Sequence, residues 1–228
     1  MSQLDVRSFT VGPVQENSYI VRADSQSKQA VIIDPGDEAE RLLAAADALG
    51  VSIEAILVTH CHFDHIGAVA PVARATGAPV YVPEIERPVL ADVMSWVPPG
   101  FGPFESYEAE HTLSGGERLQ LAGLEFDVLF TPGHSPGHVT YALEQQKALF
   151  SGDVLFQGSV GRVDLPGGDW PTLESSIGSL LGRYTPDTTV YPGHMGITTL
   201  GRELNSNPFL TELRSSLGSA LAQDSSRS

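Results

Sequence analysis

Residues 56–65 read ILVTHCHFDH, so three imidazoles and one carboxylate follow directly on a short apolar run. The apolar run predicts a strand, and His60 and His62, two residues apart, project to the same side of an extended chain. Asp64 and His65 can turn toward a second position as a helix begins. Because the whole chain has only 7 histidines, this concentration indicates a metal site, and the spacing indicates two neighbouring metals.

Further ligands are expected where other β-rich runs end at glycine. Three such runs are followed at once by a metal-binding residue: His134 after FTPG, Asp153 after FSG and His194 after VYPG. Glycine lets the backbone turn sharply and approach an ion, and the strand behind it is a rigid support. The candidate ligands are therefore His60, His62, Asp64, His65, His134, Asp153 and His194.

Five separated motifs occur in order along the chain: THCHFDH, TPGHSPGH, SGDVLF, GSVGRVDLPGGD and YPGHMG. Through them the chain resembles the metallo-β-lactamase-fold hydrolases, and more narrowly their short glyoxalase II-like (hydroxyacylglutathione hydrolase-like) branch. The resemblance implies an α/β fold, the αββα four-layer sandwich, with the metals along the edge where the sheets meet. It also implies one metal on His60, His62 and His134, a second on Asp64, His65 and His194, and Asp153 bridging them.

Length and hydrophobic pattern suit one α/β domain over residues 1–222, followed by a polar tail, 223–228, that is expected to be disordered. Two sheets between outer helices are the simplest assembly of the predicted elements. Strands are predicted at 6–10, 18–22, 30–34, 54–59, 125–130, 140–143, 148–151 and 189–191, and helices at 38–49, 66–76, 173–184 and 209–222.

Charge and composition limit the partners. With Lys+Arg 13 and Asp+Glu 28, the net charge is −15, and no Lys/Arg cluster offsets the repulsion of phosphate backbones, so no nucleic-acid partner is expected. No apolar run of membrane-spanning length and no signal-peptide pattern are present, which predicts a cytoplasmic protein with no membrane contact. The single Cys fits a reducing compartment. The sequence leaves the oligomeric state open.

Several other residues are given supporting roles. Cys61 is expected to be a packed spacer between ligands, and His138 a hydrogen-bonding neighbour of the ligands more than a ligand itself. Arg162 and Asp164 are expected to form an ion pair that braces their glycine-rich loop. The segment 83–107 is too rich in Pro and Gly for a long helix. It is either a packed connection or a loop that walls an apolar substrate pocket.

The ligand pattern predicts the chemistry of a metal-dependent hydrolase. Two close divalent ions share a water and lower its pKa toward about 7, which presents a hydroxide at neutral pH. Asp64 is expected to be catalytic, since it would orient this nucleophile as well as bind. Resemblance to the glyoxalase II-like branch implies a small-molecule thioester, S-lactoylglutathione or a related S-acyl thiol, as substrate. Zinc is the first expectation for the metal, and iron and manganese also suit these ligands.

Three alternatives remain open from the sequence. A persulfide dioxygenase would use one iron on the same scaffold, and a lactonase would use the same two metals on another substrate. A metal-binding or partner-binding module without enzymatic activity could keep the fold, but it would be marked by a missing ligand, and all seven candidates are present. Metal content and an activity panel would separate the enzymatic alternatives.

Overall fold

Two six-stranded sheets form the centre of the fold, and the computed structural model describes them within residues 3–211 and 213. In the first sheet, the strands follow chain order from edge to edge. Its antiparallel part is β1, β2 and β3, and β3 to β6 run parallel. The strands are β1 (Asp5–Val11), β2 (Glu16–Arg22), β3 (Gln29–Ile33), β4 (Ser52–Leu57), β5 (Val80–Pro83) and β6 (His111–Leu113).

The second sheet is also mixed. Strands β7 to β10 are antiparallel neighbours, and β10 pairs in parallel with β13. A separate two-stranded hairpin, β11 and β12, lies between them in the chain. The strands are β7 (Arg118–Leu121), β8 (Leu124–Phe130), β9 (Val139–Leu143), β10 (Ala148–Gly152), β11 (Leu155–Phe156), β12 (Ser159–Val160), β13 (Thr189–Pro192) and β14 (Thr198–Thr199).

Helices cover the outer faces of both sheets. The alternation of side chains in β3 shows how: Val31 and Ile33 pack between the sheets, whereas Ala30 and Ile32 pack on the helix side. Both faces are therefore buried, and the layers form the αββα sandwich that the sequence predicts. The helices are α1 (Ala39–Leu49), α2 (Phe63–Ile66), α3 (Val69–Thr76), α4 (Arg87–Ala91), α5 (Trp170–Arg183) and α6 (Leu200–Ser206).

The predicted elements agree with these bounds to within about two residues for every predicted strand. The helix predicted at 66–76 is wrong at its start. α2 begins at Phe63, and the helical hydrogen bonding is interrupted between α2 and α3, where the Ala68 N–H donates to the carbonyl of Pro35 at 3.0 Å. Where the helix at 209–222 is predicted to begin, the structure has a short 3-10 helix, Pro208–Leu210. Residues 212 and 214–222 lie outside the described part.

The remaining expectations on organisation have mixed outcomes. Segment 83–107 contains only α4 and the short 3-10 helix Val93–Ser95, so it holds no long helix, as predicted. One domain over residues 1–222 stays our proposal, and the predicted tail, 223–228, falls outside the described residues. No helix within residues 3–211 and 213 is long and apolar enough to cross a membrane.

Topology brings the candidate ligands together. Strands β3, β4 and β5 are parallel, so the segments that follow them leave the first sheet at one edge. In the second sheet β8, β10 and β13 also run in one direction, because β9 lies antiparallel between β8 and β10. The segments after these strands carry His134, Asp153 and His194. The two strand edges therefore supply all seven candidates.

Candidate metal centre

His60, His62 and His134 form the first group of candidate ligands. Their facing nitrogens make a triangle: His60 Nε2 to His62 Nδ1 is 3.1 Å, His62 Nδ1 to His134 Nε2 is 2.8 Å, and His134 Nε2 to His60 Nε2 is 3.2 Å. Three nitrogens bound to one tetrahedral zinc lie about 3.3 Å apart. The triangle therefore fits a metal ion with little adjustment.

Hydrogen bonds fix which nitrogen of these rings is free. The Thr59 hydroxyl donates to Asp34 Oδ2 at 2.6 Å, so its oxygen accepts from His60 Nδ1 at 3.1 Å. His134 Nδ1 donates to the carbonyl of Arg162 at 2.7 Å. We assign the proton to Nδ1 in both rings, which leaves each Nε2 with a lone pair directed into the triangle.

Asp64, His65 and His194 form the second group. Asp64 Oδ2 is 3.2 Å from His194 Nε2 and 3.8 Å from His65 Nε2. His65 Nδ1 donates to Asp34 Oδ2 at 3.0 Å, and His194 Nδ1 donates to the carbonyl of Gln15 at 3.3 Å. In both histidines the hydrogen bond at Nδ1 therefore leaves Nε2 directed toward the other candidate ligands, as in the first group.

Asp153 lies between the two groups. Its Oδ1 is 3.4 Å from His65 Nε2, while its Oδ2 is 3.4 Å from His134 Nε2 and 3.6 Å from His194 Nε2. Among the described residues, Asp153 Oδ1 and His65 Nε2 are buried polar atoms that make no hydrogen bond. Buried polar atoms without a partner are costly. A cation between them would satisfy both, so these residues fit a metal pair.

Burial and neighbouring charges give the two groups different electrostatics. Burial lowers the pKa of His60 well below its usual value, and burial together with the imidazole of His134 lowers the pKa of His62 to about 4. Burial also lowers the pKa of His65, but the nearby carboxylates, Asp153 first, outweigh it and raise that pKa well above its usual value. Without an ion, His60 and His62 are therefore neutral, whereas His65 is an imidazolium among carboxylates.

His138 takes the supporting position that the sequence predicts. Its Nδ1 donates to the Thr131 hydroxyl at 3.1 Å, and its Nε2 accepts from the backbone N–H of Asp153 at 3.1 Å. The ring also stacks on His60 with centroids 4.9 Å apart. Both nitrogens are engaged, so His138 orients Asp153 and supports His60 without a free lone pair of its own.

Asp34 is a functional residue that the sequence analysis missed. It accepts from the Thr59 N–H at 2.7 Å and the Thr59 hydroxyl at 2.6 Å, and it also holds His65. It follows β3, which pairs in parallel with β4, so it emerges beside Thr59 at the same edge. A search for carboxylates at the last residue of every predicted strand, as well as after it, would have found Asp34.

Glu86 is a second missed residue. Its carboxylate is buried and joins two ligand loops: Oε1 accepts from the Ser135 hydroxyl at 2.6 Å and the Gly137 N–H at 2.9 Å, and Oε2 accepts from the Cys61 N–H at 3.1 Å. Cys61 itself is buried against the helix side of the first sheet, as the spacer prediction requires. Nothing local in the sequence marks Glu86, because its partners are 25 to 51 residues away.

The start of the chain fixes the loop that carries His194. Asn17 Nδ2 donates to the carbonyls of Pro192 at 3.1 Å and Met195 at 2.9 Å, and the Tyr19 hydroxyl donates to Pro192 at 2.7 Å. Gly193 is required there, because a Cβ at that position would lie 2.7 Å from Cε1 of His65. The second ligand group is therefore closed by residues from both ends of the chain.

Arg162 and Asp164 form the predicted brace. Arg162 Nε and Nη2 donate to the two carboxylate oxygens of Asp164 at 2.7 and 2.8 Å. Both side chains are exposed, so the pair contributes little to stability by itself. It shapes the loop whose Arg162 carbonyl holds His134.

Segment 83–107 walls a cavity beside α2. Phe101 and Phe104 contact the ring of Phe63, with centroids 4.7 and 6.1 Å apart. The cavity holds 410 Å³, and none of the seven candidate ligands lines it. Its lining is mixed, since Asp37 and two other carboxylates accompany the aromatic rings. It adjoins the helix that carries Asp64, but it is not the purely apolar pocket that was one expectation.

Comparison with known proteins places this geometry in a family. Residues 11–194 match the model of the metallo-beta-lactamase superfamily. The chain is 36% identical to hydroxyacylglutathione hydrolase GloC of Haemophilus influenzae, over 91% of this chain and 98% of that protein.

Two solved structures are similar throughout. The BLEG-1 B3 metallo-beta-lactamase is 41% identical with a TM-score of 0.85, over 91% of this chain and all of that one. TTHA1623 in a di-iron-bound form is 44% identical with a TM-score of 0.74, over 90% of this chain and all of that one. The chain therefore belongs to the metallo-β-lactamase superfamily, whose members are mostly metal-dependent hydrolases and whose fold binds divalent metals.

Proposed function

We propose that this chain is a dinuclear-metal hydrolase that cleaves a small-molecule thioester, S-lactoylglutathione or a related S-acyl thiol. The observation that carries the proposal is the pair of three-ligand groups with Asp153 between them, its oxygens facing both. The likeness to a protein named hydroxyacylglutathione hydrolase supports the substrate class. A small-molecule substrate in the cytoplasm, with no nucleic acid or membrane, fits the acidic composition.

In this proposal His60, His62 and His134 would hold one divalent ion, Asp64, His65 and His194 would hold the other, and Asp153 would serve both. When bound, such ions polarise the scissile carbonyl and lower the pKa of water at neutral pH. Zinc suits the ligands, and the di-iron form of a 44% identical protein supports iron as well.

The side chains contribute orientation and proton acceptance. Asp64 accepts a hydrogen bond from the attacking water at a carboxylate oxygen and so directs the water's lone pair at the carbonyl carbon. As the water oxygen bonds to the carbonyl carbon, Asp64 takes the proton that the water loses. The carbon–sulfur bond then breaks with its electron pair going to sulfur, and the thiolate leaves without a general acid because thiols ionise near neutral pH. Cys61 is buried, so the proposal gives it no nucleophilic role and requires no covalent intermediate on the protein.

The second group of ligands favours the hydrolase over the alternative with one iron. His65 and His194 each have Nδ1 hydrogen-bonded and Nε2 directed at the carboxylates. Side chains that bind no ion would not need this fixed orientation. A persulfide dioxygenase needs only one such site. The lactonase alternative shares both metals and differs only in the substrate that the surrounding loops accept.

One experiment tests the proposal. Protein purified without added metal is analysed for metal by mass spectrometry and assayed on a panel of thioesters, a lactone, a β-lactam and a persulfide with oxygen uptake. We expect about two metal ions per chain and thioester cleavage above the other activities. One iron with oxygen uptake would establish the dioxygenase instead, and metal-loaded protein that cleaves no thioester would overturn the substrate class.

A further inference from the structure

We propose that Arg202, oriented by Gln157, is the anchor for a carboxylate on the thiol half of the substrate. The proposal rests on the thioester hydrolysis described above and names the charged group that the protein recognises. Arg202 and Gln157 lie on the His194 side of the metal centre. The positive charge of Arg202 contrasts with the carboxylates that line the cavity beside α2.

Arg202 stands out because almost every other Lys or Arg side chain in the described part of the chain lies beside a carboxylate. Within the described part of the chain, nine Lys and Arg side chains lie within 3.5 Å of a carboxylate oxygen, and only Lys28 and Arg202 do not. Both are exposed. Among the described residues two cations are therefore available in a protein with net charge −15, and one of them, Arg202, contacts the residue that follows Phe156, whose ring packs on His194.

Contacts place Arg202 next to the second ligand group. With the Gln157 amide turned so that its Oε1 faces the guanidinium, Nη1 and Nη2 of Arg202 both donate to that oxygen at 3.1 Å. Gln157 follows Phe156, whose ring lies edge-on to His194 with centroids 5.7 Å apart. The amide of Gln157 also fills the space that a side chain at Gly196 would need. Arg202 is thus two contacts from a candidate ligand.

The acidic neighbour of Arg202 does not neutralise it. Glu203 is buried, its Oε1 accepts from the Thr198 hydroxyl at 2.5 Å, and its Oε2 accepts from the Gly158 N–H at 2.7 Å and Asn207 Nδ2 at 2.9 Å. These bonds fix α6 against the turn between β11 and β12. The carboxylate is therefore committed to the interior, and Arg202 is held in place with its charge unpaired.

The chemistry of the two sides selects a carboxylate for Arg202. A guanidinium has five N–H donors, of which Gln157 takes two, so a planar fork remains for a bidentate carboxylate. The cavity beside α2 has the opposite character, because Asp37, Glu38 and Glu105 line it. An anionic substrate arm therefore binds toward Arg202, and the uncharged arm lies toward the aromatic wall.

The test compares two thioesters with the same acyl group: S-lactoylglutathione, whose thiol half carries carboxylates, and S-lactoyl-N-acetylcysteamine, whose thiol half is uncharged. In Arg202→Ala we expect the ratio of kcat/KM for the anionic over the uncharged substrate to fall about tenfold, through KM. Arg202→Lys keeps the charge but lacks the two parallel N–H donors, so its ratio should lie between those of the parent protein and Arg202→Ala. Lys28→Ala, the matched control, should leave the ratio unchanged. An equal change for both substrates, or no change, overturns the anchor.

A binding measurement separates this inference from the proposed function. S-methylglutathione is anionic and is not hydrolysed, so its affinity can be measured by calorimetry even if no thioester is turned over. We expect about tenfold weaker binding to metal-loaded Arg202→Ala than to the parent protein or Lys28→Ala. Equal affinity of the three proteins overturns the anchor. Absent turnover with the expected affinity loss overturns the hydrolase and keeps the anchor.

Discussion

At the residue scale, each candidate histidine ligand except His62 has its second nitrogen engaged by a neighbouring oxygen. Asp34 is central to this, since one carboxylate fixes His65 directly and His60 through the Thr59 hydroxyl. The ring orientation is therefore set before any ion binds. Such preparation is what a site needs to hold metals in a defined geometry.

Asp153→Ala should lower the occupancy of both proposed metal sites, because its two oxygens face both ligand groups. We expect the metal content to fall from about two ions to one or fewer per chain, measured by mass spectrometry after dialysis. Asp187→Ala, which removes an exposed carboxylate paired with Lys147, is the matched control. A fully loaded Asp153→Ala protein would exclude Asp153 as a shared ligand.

His62→Ala and His194→Ala should act on different ions. Each removes one of three protein ligands from a single group, so each should lose mainly one ion and retain the other. The two half-loaded proteins can be told apart by spectroscopy of cobalt-substituted samples, since only the site retained in His62→Ala contains a second carboxylate, Asp64, besides the shared Asp153. Identical spectra would contradict the division into two groups.

His138→Ala should reduce kcat/KM about 10- to 100-fold while most of the metal stays bound. The physical reason is that His138 touches the backbone N–H of Asp153 and the Thr131 hydroxyl, and offers no free nitrogen. Metal content and activity are measured on the same sample. Complete loss of metal would make His138 a direct ligand.

At the element scale, the sequence predicted the long strands and α1 well, because each carries apolar residues at the period of its element or in an unbroken run. It missed β5, β6, β7, β11, β12 and β14, which are two to four residues long and show no clear period. It also missed the break at Gly67 and Ala68, which depends on the carbonyl of Pro35 in another part of the chain.

The seven candidate ligands could be identified because each stands in or directly after a motif of His, Asp and Gly at a strand end. Glu86 could not, since it lies in an unpatterned segment and its three donors belong to two distant loops. Arg202 could not either, because its significance depends on which other cations find partners in three dimensions.

Glu86→Ala tests the connection between these two loops. It leaves the Cys61 N–H, the Gly137 N–H and the Ser135 hydroxyl without their buried acceptor, so we expect a loss of about 2 to 4 kcal/mol in unfolding free energy and weaker metal binding. Glu86→Gln keeps one acceptor oxygen for some of these donors, so it should recover part of the unfolding free energy and part of the metal affinity. Urea denaturation and metal titration measure the two effects. Unchanged metal affinity in Glu86→Ala would show that the two ligand loops keep their positions without Glu86.

At the scale of the whole molecule, charge should limit the use of glutathione conjugates. A net charge of −15 repels an anionic substrate, and one unpaired Arg beside the site offsets only part of that. We expect S-lactoylglutathione hydrolysis with a high KM and a modest kcat/KM, and smaller or less anionic thioesters should be cleaved as well or better. Tight, fast and selective use of S-lactoylglutathione in steady-state kinetics would contradict the charge argument.

The placement of the ligands on two sheets has a consequence for biosynthesis. His60, His62, Asp64 and His65 follow β4 of the first sheet, whereas His134, Asp153 and His194 follow strands of the second. On the proposed ligand sets, a ribosome that has released only the first half of the chain has made an incomplete set for each ion. The first set is completed only when His134 is added and the second only when His194 is added, so tight binding of either ion is expected only after the second sheet has joined the first.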